Sequence, residues 1–425
     1  MLRDGGNAVD ALLAAAFTAF VTEGPLTGPA GGGFGLVHDP GGETTMLDCF
    51  FEAPTNRLGE MEELVIDFGD SGTQVFHVGD GSVAVPGLLA GLDELHRRFA
   101  TRAWSRLVEP AVVLAREGFE RDERRVFLHG ILEGILQRDE GGRRIYGDPE
   151  RVHTGDTVAT LERVRDAGRA AAAELLPEYA DDLRTYRVLE VEPLEVTARG
   201  RRIVSVPSQG GHVVRRILEL LDAHETEPLL EHEARAVADA YGPLGSGPLP
   251  GTTHVSAVDA DGLAAGLSST LGSGSGIFRN GTQLNNMLGE LDVIGTDEKA
   301  PGERLASMMT PTLVVESGLP RLVVGSAGSV RLAGAIAQVT WRFLGGMHVA
   351  EAIRAPRVHV DGTTVHLEGG WPDADVAGLP ASWDLNRWDA MNLFFGGVQA
   401  VERRADGGFE AAGDPRRGGL GIVVE

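Results

Sequence analysis

The sequence has a single cysteine, Cys49, and a single lysine, Lys299, among its 425 residues. One cysteine cannot form an intrachain disulfide, so packing must stabilise the fold, and zinc clusters built on thiolates are excluded. The longest early apolar stretch, 11–21, is shorter than the about 20 residues that span a bilayer, so no membrane partner is expected. The glycine loops lack the Gly-Lys-Ser/Thr ending of a phosphate-binding loop, which argues against nucleotide binding.

Basic residues are also scarce, because 38 Lys and Arg face 62 Asp and Glu, a net charge of −24. Such a surface repels phosphate, which argues against nucleic acid as a partner. Hydrophobic residues at 42% and charged residues at 24% are typical of a globular protein. The 59 glycines keep no three-residue period, so disorder and collagen are excluded. The length predicts either several domains or one large sandwich.

Hydrophobic periodicity divides the chain into a helix-rich and a hairpin-rich half. An apolar helix opens the chain, strands follow at 34–39 and 44–51, and helical patterns dominate to about 223. After the Pro/Gly run 242–251, Asp261-Gly262 between two alternating runs predicts a hairpin. This order indicates an α+β fold with stacked antiparallel sheets covered by helices. The strands predicted in the second half are 253–258, 264–270, 312–316, 322–325 and 398–403.

The most informative residue is Thr252, where the flexible Pro/Gly run meets the first strand of the hairpin. If its hydroxyl attacks the carbonyl of Gly251, hydrolysis of the resulting ester leaves Thr252 as a new N-terminus. The freed α-amine, with an ordinary pKa of about 7.7–8.0, can act as base for the hydroxyl of the same residue. The alternative is a threonine that starts a strand, where β-branched residues are common.

Several motifs in family order make the chain similar to the γ-glutamyltransferase (glutathione hydrolase) family of N-terminal nucleophile hydrolases. The resemblance covers nearly the whole chain. It is carried by Gly5-Gly6-Asn7-Ala8-Val9-Asp10-Ala11, Gly31-Gly32-Gly33-Phe34, Val83-Ala84-Val85-Pro86-Gly87, Thr252-Thr253-His254-Val255-Ser256, Leu284-Asn285-Asn286, Met309-Thr310-Pro311-Thr312, Gly325-Ser326-Ala327-Gly328 and Asp414-Pro415-Arg416-Arg417.

The resemblance implies a four-layer αββα sandwich, made as one precursor and cut between Gly251 and Thr252. Segments 1–251 and 252–425 would then be the two subunits of a heterodimer, with any larger oligomer left open. Thr252 would be the nucleophile and Thr270 would hydrogen-bond its surroundings. The backbone N–H groups of Gly328 and Ser329 would form the oxyanion hole. No metal or organic cofactor is implied, and the acceptor would be water or an amine.

The substrate pocket departs from the family pattern. Phe50 replaces the arginine that holds the α-carboxylate of a glutamyl group, so a charge-assisted contact is lost. Met308 replaces the second of two paired serines, while Ser307 is kept, and Gly272 replaces an asparagine. The acidic residue that holds the substrate amine is displaced to Glu290, four residues after Asn286.

These changes leave two possibilities for the acyl group. It carries less charge than glutamate, or another cation such as Arg279 or Arg331 reaches the pocket, although arginines are mostly exposed and either is expected to be a solvated surface charge. The expected activity is hydrolysis or transfer of a γ-glutamyl group from a small amide or peptide such as glutathione. The alternatives are an acylase for a non-glutamyl amide and a non-catalytic binding relative.

Two expectations rest on segment lengths. The segment 290–307 is short, which predicts an open cleft and hydrolysis in excess of transfer. Relatives have a strand before the opening helix, and here only four residues precede Gly5, which indicates a fragment or a misassigned start. An export signal could be missing, so the localisation is cytoplasmic as the chain stands but is not determined by the sequence.

Overall fold

The computed structural model describes residues 1–67, 73–224, 228–242 and 251–424 of the unbroken chain. The predicted opening helix is confirmed: Asn7 caps it, and the side chains of Asn7 and Asp10 each accept the other's backbone N–H. The helices are α1 Ala8–Thr22, α2 Leu88–Phe99, α3 Trp104–Glu117, α4 Glu123–Ile131, α5 Glu133–Leu136, α6 Glu140–Tyr146, α7 Val158–Ala167, α8 Ala172–Leu175, α9 Ala180–Thr185, α10 Gln209–Ala223, α11 Leu229–Tyr241, α12 Leu291–Ile294, α13 Leu332–Leu344, α14 Val349–Arg354 and α15 Asp373–Ala377.

Most strands belong to two antiparallel sheets. The strands are β1 Gly32–His38, β2 Thr44–Cys49, β3 Glu62–Asp67, β4 Thr73–Val78, β5 Phe119–Glu120, β6 Arg151–Val152, β7 Leu189–Glu190, β8 Leu194–Ala198, β9 Arg201–Ser205, β10 Gly251–Val258, β11 Ala264–Gly272, β12 Phe278–Arg279, β13 Thr282–Gln283, β14 Thr312–Glu316, β15 Leu319–Ala327, β16 Val358–Asp361, β17 Thr364–Leu367, β18 Asp384–Arg387, β19 Gly397–Arg403 and β20 Phe409–Gly413. The first sheet has the order β10-β11-β1-β2-β7, and the second has the order β20-β19-β15-β14-β9-β8.

The two sheets stack face to face, because β10 packs on β15 and β19, and β11 packs on β15. Helices α1 and α2 cover the outer face of the first sheet, and α10 and α13 cover the second. The layers are therefore helix, sheet, sheet, helix, which confirms the predicted αββα sandwich. Each layer buries one apolar face, which is what such architectures require.

The two sheets take strands from both sides of position 251. In the first sheet β1 pairs with β11, and in the second β9 pairs with β14. The predicted hairpin of β10 and β11 is confirmed, with its turn at 259–262. The predicted Pro/Gly run lies largely outside the described residues, since 243–250 are not among them.

Three predictions of local structure were wrong. The hairpin of β8 and β9 lies in a stretch predicted to be helical; its turn, Arg199-Gly200, has φ values of 47° and 72°, and arginine gives no turn signal there. The helical patterns predicted up to about 223 are interrupted, because α7 ends before Gly168, where φ is 57°. The strand predicted at 34–39 begins earlier, because β1 begins at Gly32.

The glycines of β1 allow another strand to approach closely. A Cβ on Gly33 would lie 2.4 Å from the carbonyl oxygen of Ser268 in β11. This contact holds the end of β11 in register, with Gly32 opposite Thr270. Among the described residues, no helix is long and apolar enough to cross a membrane.

Candidate active site

Thr252 lies in an irregularity at the start of β10. Gly251 pairs with Gly272 and Thr253 pairs with Ser269, so the register shifts between them: Thr252 alone lies opposite two residues of β11, Thr270 and Leu271. Such bulges redirect a side chain and occur near active sites. Thr252 is 3% exposed in the unbroken chain. The bulge therefore places the predicted nucleophile inside the molecule, where the backbone leaves regular pairing.

The hydroxyl of Thr270 contacts the peptide that Thr252 is predicted to attack. Thr270 Oγ1 donates to the carbonyl oxygen of Gly251 and accepts a hydrogen bond from the N–H of Gly272 at 2.8 Å. A donor on this oxygen stabilises negative charge that develops when the carbonyl carbon is attacked. The expected contact of Thr270 with the surroundings of the nucleophile is thus present in the structure.

The loop at Gly328 and Ser329 follows β15, which packs against β10 from the facing sheet. The φ values are 133° at Gly328 and 62° at Ser329, and a left-handed conformation is uncommon for a residue with a side chain. The Oγ of Ser329 is buried without a hydrogen-bond partner in the described part of the chain. Strained backbone of this kind is typical of functional sites.

Gly272, Asn286 and Glu290 lie together beside this peptide. A Cβ on Gly272 would lie 2.3 Å from Asn286 Oδ1 and 3.0 Å from Glu290 Oε1. Asn286 Oδ1 accepts from the N–H groups of Ser273 and Gly274 at 2.7 and 3.0 Å, which fixes the loop after β11. Since Gly272 pairs with Gly251, these side chains lie next to the predicted cleavage site.

Glu290 is the buried acid of this group. Its Oε1 accepts from the N–H and hydroxyl of Ser273 at 2.9 and 2.8 Å. Its Oε2 is buried and has no partner among the described residues. Burial raises the pKa of Glu290, and the hydrogen bonds from Ser273 oppose that rise. A carboxylate oxygen without a partner in such a place is suited to a cationic ligand.

Phe50, Ser307 and Met308, the other residues predicted to shape the substrate pocket, are all buried. Phe50 is 1% exposed and stacks on Phe34 at a centroid distance of 5.4 Å. Phe50 and Met308 belong to the same apolar cluster as Met287. Ser307 Oγ accepts from the N–H of Met309 at 3.1 Å. Thus Phe50, which stands where the family pattern has an arginine, is part of the hydrophobic core.

The two arginines considered as replacement cations differ in the structure. Arg279 forms an ion pair with Glu178 at 2.7 Å and is already neutralised. Arg331 is 3% exposed and donates through Nε to the carbonyl of Phe394 at 2.8 Å. The expectation that Arg331 is a solvated surface charge was therefore wrong. It ends the short turn Ser329–Arg331, which lies directly before α13.

Three further residues carry polar groups that the sequence analysis did not assign. His254 bonds Ser268 through Nδ1 and Ser256 through Nε2, both at 2.8 Å, and burial lowers its pKa to about 3. Glu23 accepts from Thr253 Oγ1 at 2.5 Å, and burial raises its pKa.

The third residue, Arg417, places its guanidinium near Gly328. Glu23 and Arg417 interact electrostatically. Two features of the sequence could have indicated these residues. Glu23 directly follows an apolar helix, and Arg416 and Arg417 follow an Asp-Pro pair.

A possible metal-binding group lies elsewhere. Among the described residues, ligand atoms of His348, Glu402 and Glu410 lie within 4.8 Å of one another. His348 and Glu410 also line a cleft of about 700 Å³ whose lining includes none of the predicted site residues. The open cleft predicted from segment 290–307 is thus not this one, and it stays a prediction.

Comparison with known proteins gives a consistent result. The family model described as gamma-glutamyltranspeptidase matches residues 1–170 and 224–424. The glutathione hydrolase proenzyme of Pseudomonas aeruginosa is 28% identical, with 100% of this chain and 92% of the relative covered. That of Escherichia coli is 27% identical, with 98% and 87% covered. The acylase ACY 1 proenzyme of Pseudomonas sp. strain SE83 is 26% identical, with 100% and 90% covered.

Among solved structures, the cephalosporin acylase from Bacillus halodurans superposes with a TM-score of 0.81 at 19% identity. The match covers 100% of this chain and 92% of that one. At this identity the likeness shows the fold, and it agrees with the observed order of layers.

Proposed function

This chain belongs to the gamma-glutamyltranspeptidase family, and from that premise we propose that it cuts its own backbone before Thr252 and then uses that threonine to carry an acyl group. The chain is an enzyme of the hydrolase and acyltransferase class. The observation that supports the residue assignment best is the hydrogen bond from the Thr270 hydroxyl to the Gly251 carbonyl oxygen.

In the first step, Thr252 Oγ1 attacks the carbonyl carbon of Gly251, and Thr270 stabilises the charge that develops on the oxygen. The C–N bond breaks as the C–O bond of an ester forms, and the α-amine of Thr252 takes up the proton of the hydroxyl. Water then hydrolyses the ester and leaves a carboxylate on Gly251. The products are segments 1–251 and 252–425.

In the catalytic cycle, the α-amine of Thr252 is the base for the hydroxyl of the same residue. The hydroxyl oxygen attacks the substrate amide, and the backbone N–H groups of Gly328 and Ser329 stabilise the oxyanion. The amine half of the substrate leaves with a proton. Water or an amine acceptor then releases the acyl group. Because segment 290–307 is short, we expect hydrolysis to exceed transfer.

The leading substrate class is γ-glutamyl amides such as glutathione, because curated relatives are named glutathione hydrolases. Glu290, with its partnerless Oε2, is suited to the ammonium group of a glutamyl substrate. The second candidate is another amide, because Phe50 offers no charge and one relative is named an acylase. Asn286 and Gly272 shape the same pocket, with Ser307 and Met308 on its apolar side.

The test is to purify the wild type and the variants Thr252→Ala and Thr253→Ser. Denaturing gels of the wild type and of Thr253→Ser should show two bands with the sizes of 1–251 and 252–425, and Thr252→Ala should show one. Glutamate released from a γ-glutamyl anilide, detected by mass spectrometry, supports the glutamyl assignment. A cleaved enzyme that releases other acyl groups but no glutamate supports the acylase instead.

A further inference from the structure

Several buried arginines of the second half are paired with acids. Arg342 forms a bidentate pair with Glu233, with distances of 2.9 and 2.6 Å. Arg416 contacts Glu368 at 2.7 and 2.5 Å. Charges buried in this way are stable because each has a partner of opposite sign. A partly buried arginine that lacks such a pair therefore stands out in this molecule.

Arg417 is such a residue. Its Nε is buried and has no hydrogen-bond partner among the described residues. The two acids that act on it electrostatically are engaged by other groups. Asp414 is held by Arg357 at 2.6 Å and Arg416 at 3.1 Å, while Glu23 accepts from Thr253. The guanidinium thus has a charge that the surrounding side chains do not satisfy.

Packing directs the guanidinium of Arg417 toward the proposed oxyanion loop. Its aliphatic stem crosses Gly397, where an added Cβ would lie 2.6 Å from Arg417 Cδ. Its Nη2 lies 3.7 Å from the position that a Cβ on Gly328 would take. Gly397 pairs with Ala327, the residue before Gly328, so strand pairing fixes this approach. The guanidinium lies next to the backbone that would bind the acyl carbonyl.

A second cation, Arg331, adds to the positive charge here. Burial lowers the pKa values of Arg417 and Arg331 to about 10, and in Arg331 the charge of Arg417 contributes. Both side chains therefore remain charged at neutral pH. The charge of Arg417 lowers the pKa of Arg331 and that of Asp361 raises it, and an anion bound beside the two guanidinium groups would reduce their repulsion.

We propose that Arg417 binds a carboxylate on the acyl half of the substrate, so that the enzyme selects amides of dicarboxylic acids. The inference rests on the proposed function and names its substrate class. A guanidinium matches a carboxylate with two parallel N–H donors. Phe50 cannot supply this contact because it is core, and Arg279 is neutralised by Glu178. An acyl chain with a carboxylate a few bonds from its carbonyl would reach both Arg417 and Gly328.

The test compares three anilides whose acyl chains have five carbons: glutaryl, γ-glutamyl and pentanoyl. The first two carry a carboxylate, and pentanoyl carries none. For the wild type, we expect kcat/KM for glutaryl anilide to exceed that for pentanoyl anilide by about ten- to a hundredfold, the range of a hydrogen bond to a charged group. In Arg417→Met, which keeps the stem, this preference should disappear while pentanoyl turnover is kept.

Two further variants complete the design. Arg417→Lys should retain part of the preference, because it keeps the positive charge but loses the two parallel N–H donors of the guanidinium. Arg404→Gln removes an arginine from the turn between β19 and β20 and should change nothing. Equal turnover of all three anilides by the wild type, or an unchanged preference in Arg417→Met, overturns this inference and leaves the proposed function intact. Failure of the wild type to turn over any anilide overturns the proposed function and this inference with it.

Discussion

At the scale of single residues, Thr270 contacts the Gly251 carbonyl, and Glu290 lies beside Gly272, the residue that pairs with Gly251. The hydroxyl of Thr270 favours negative charge on the Gly251 oxygen. Glu290 has a buried oxygen, Oε2, that lacks a hydrogen-bond partner among the described residues. The same few residues can thus promote cleavage of the precursor and later hold a substrate.

Removal of the Thr270 hydroxyl should slow self-cleavage. Thr270→Val keeps the size of the side chain but loses the donor to the Gly251 carbonyl, so we expect cleavage to be about 10²–10³-fold slower. Thr270→Ser keeps the hydroxyl and should cleave at a rate close to that of the wild type. The measurement is the loss of the unbroken band on denaturing gels over time. Equal rates for Thr270→Val and the wild type would show that this hydrogen bond does not assist cleavage.

The preference for a free amine on the substrate should depend on pH. Burial raises the pKa of Glu290 above its ordinary value of 4.5. Below the raised pKa the carboxyl is protonated and cannot attract an ammonium group, and above it the carboxylate can. The ratio of kcat/KM for γ-glutamyl over glutaryl anilide should therefore rise with pH through the pKa of Glu290.

Glu290→Gln should give a flat ratio over the same range, from about pH 5 to about pH 7, where the substrate amine stays mostly protonated. The ratio of the two kcat/KM values is measured because the titration of the Thr252 α-amine affects both substrates and therefore cancels. A wild-type ratio that does not change with pH, or one that falls, contradicts the role of Glu290.

At the scale of elements, the contact between β10 and β15 positions the nucleophile. The ring of His254 in β10 lies against Gly325 in β15, where an added Cβ would be 2.2 Å from His254 Nδ1. Two serines hold the ring, and burial keeps it neutral with a pKa of about 3. The ring cannot move without losing these bonds. A methyl group at Gly325 must therefore separate the sheets or displace β10.

Gly325→Ala should cost about 1–3 kcal/mol in the free energy of unfolding, the usual range for an overpacked core. Urea unfolding in the uncleaved Thr252→Ala background measures this cost. Gly155→Ala is the matched control, because nothing lies within 4 Å of its added Cβ. In a His254→Ala background the cost of Gly325→Ala should be much smaller. If the cost is the same in both backgrounds, the ring does not set the spacing of the strands.

Element by element, the sequence predicted the structure best where a local signal and the tertiary fold agree. The β10 and β11 hairpin has an Asp-Gly turn, and α1 is a long apolar run, so both were recognised. The hairpin at Arg199 was missed because an arginine takes a conformation that usually favours Asn or Gly. The start of β1 was missed because its glycines are required by the close approach of β11, and a sequence pattern does not reveal that approach.

At the site, the sequence indicated residues whose side-chain type suggests a chemical role, such as Thr252 and Glu290. It missed Arg417, because two adjacent arginines look alike in the sequence. In the structure, Arg416 is fully paired and Arg417 is not. Which of two neighbours is paired depends on where Glu368 and Asp414 lie, and that is a property of the tertiary fold.

At the scale of the whole molecule, cleavage before Thr252 would leave two chains that share both sheets. Strand β11 pairs with β1, and β14 pairs with β9, so each sheet crosses from one segment to the other. A segment 252–425 on its own would expose the unpaired edges of β11 and β14, which invites aggregation.

The cleaved protein should therefore elute from gel filtration at the volume of uncleaved Thr252→Ala and separate only on denaturation. Segment 252–425 expressed alone should be insoluble, and coexpression with 1–251 should increase its yield in solution. A segment 252–425 that is soluble and monomeric by itself would contradict the shared-sheet account.

The most direct test of the central claim is intact-mass spectrometry of the purified protein, before and after incubation with a γ-glutamyl or glutaryl anilide. The account predicts two polypeptides, the smaller beginning at Thr252, and a transient acyl adduct on that polypeptide alone. A single polypeptide of 425 residues that hydrolyses the anilide would contradict it, because the amine that serves as the base would then still be part of a peptide bond.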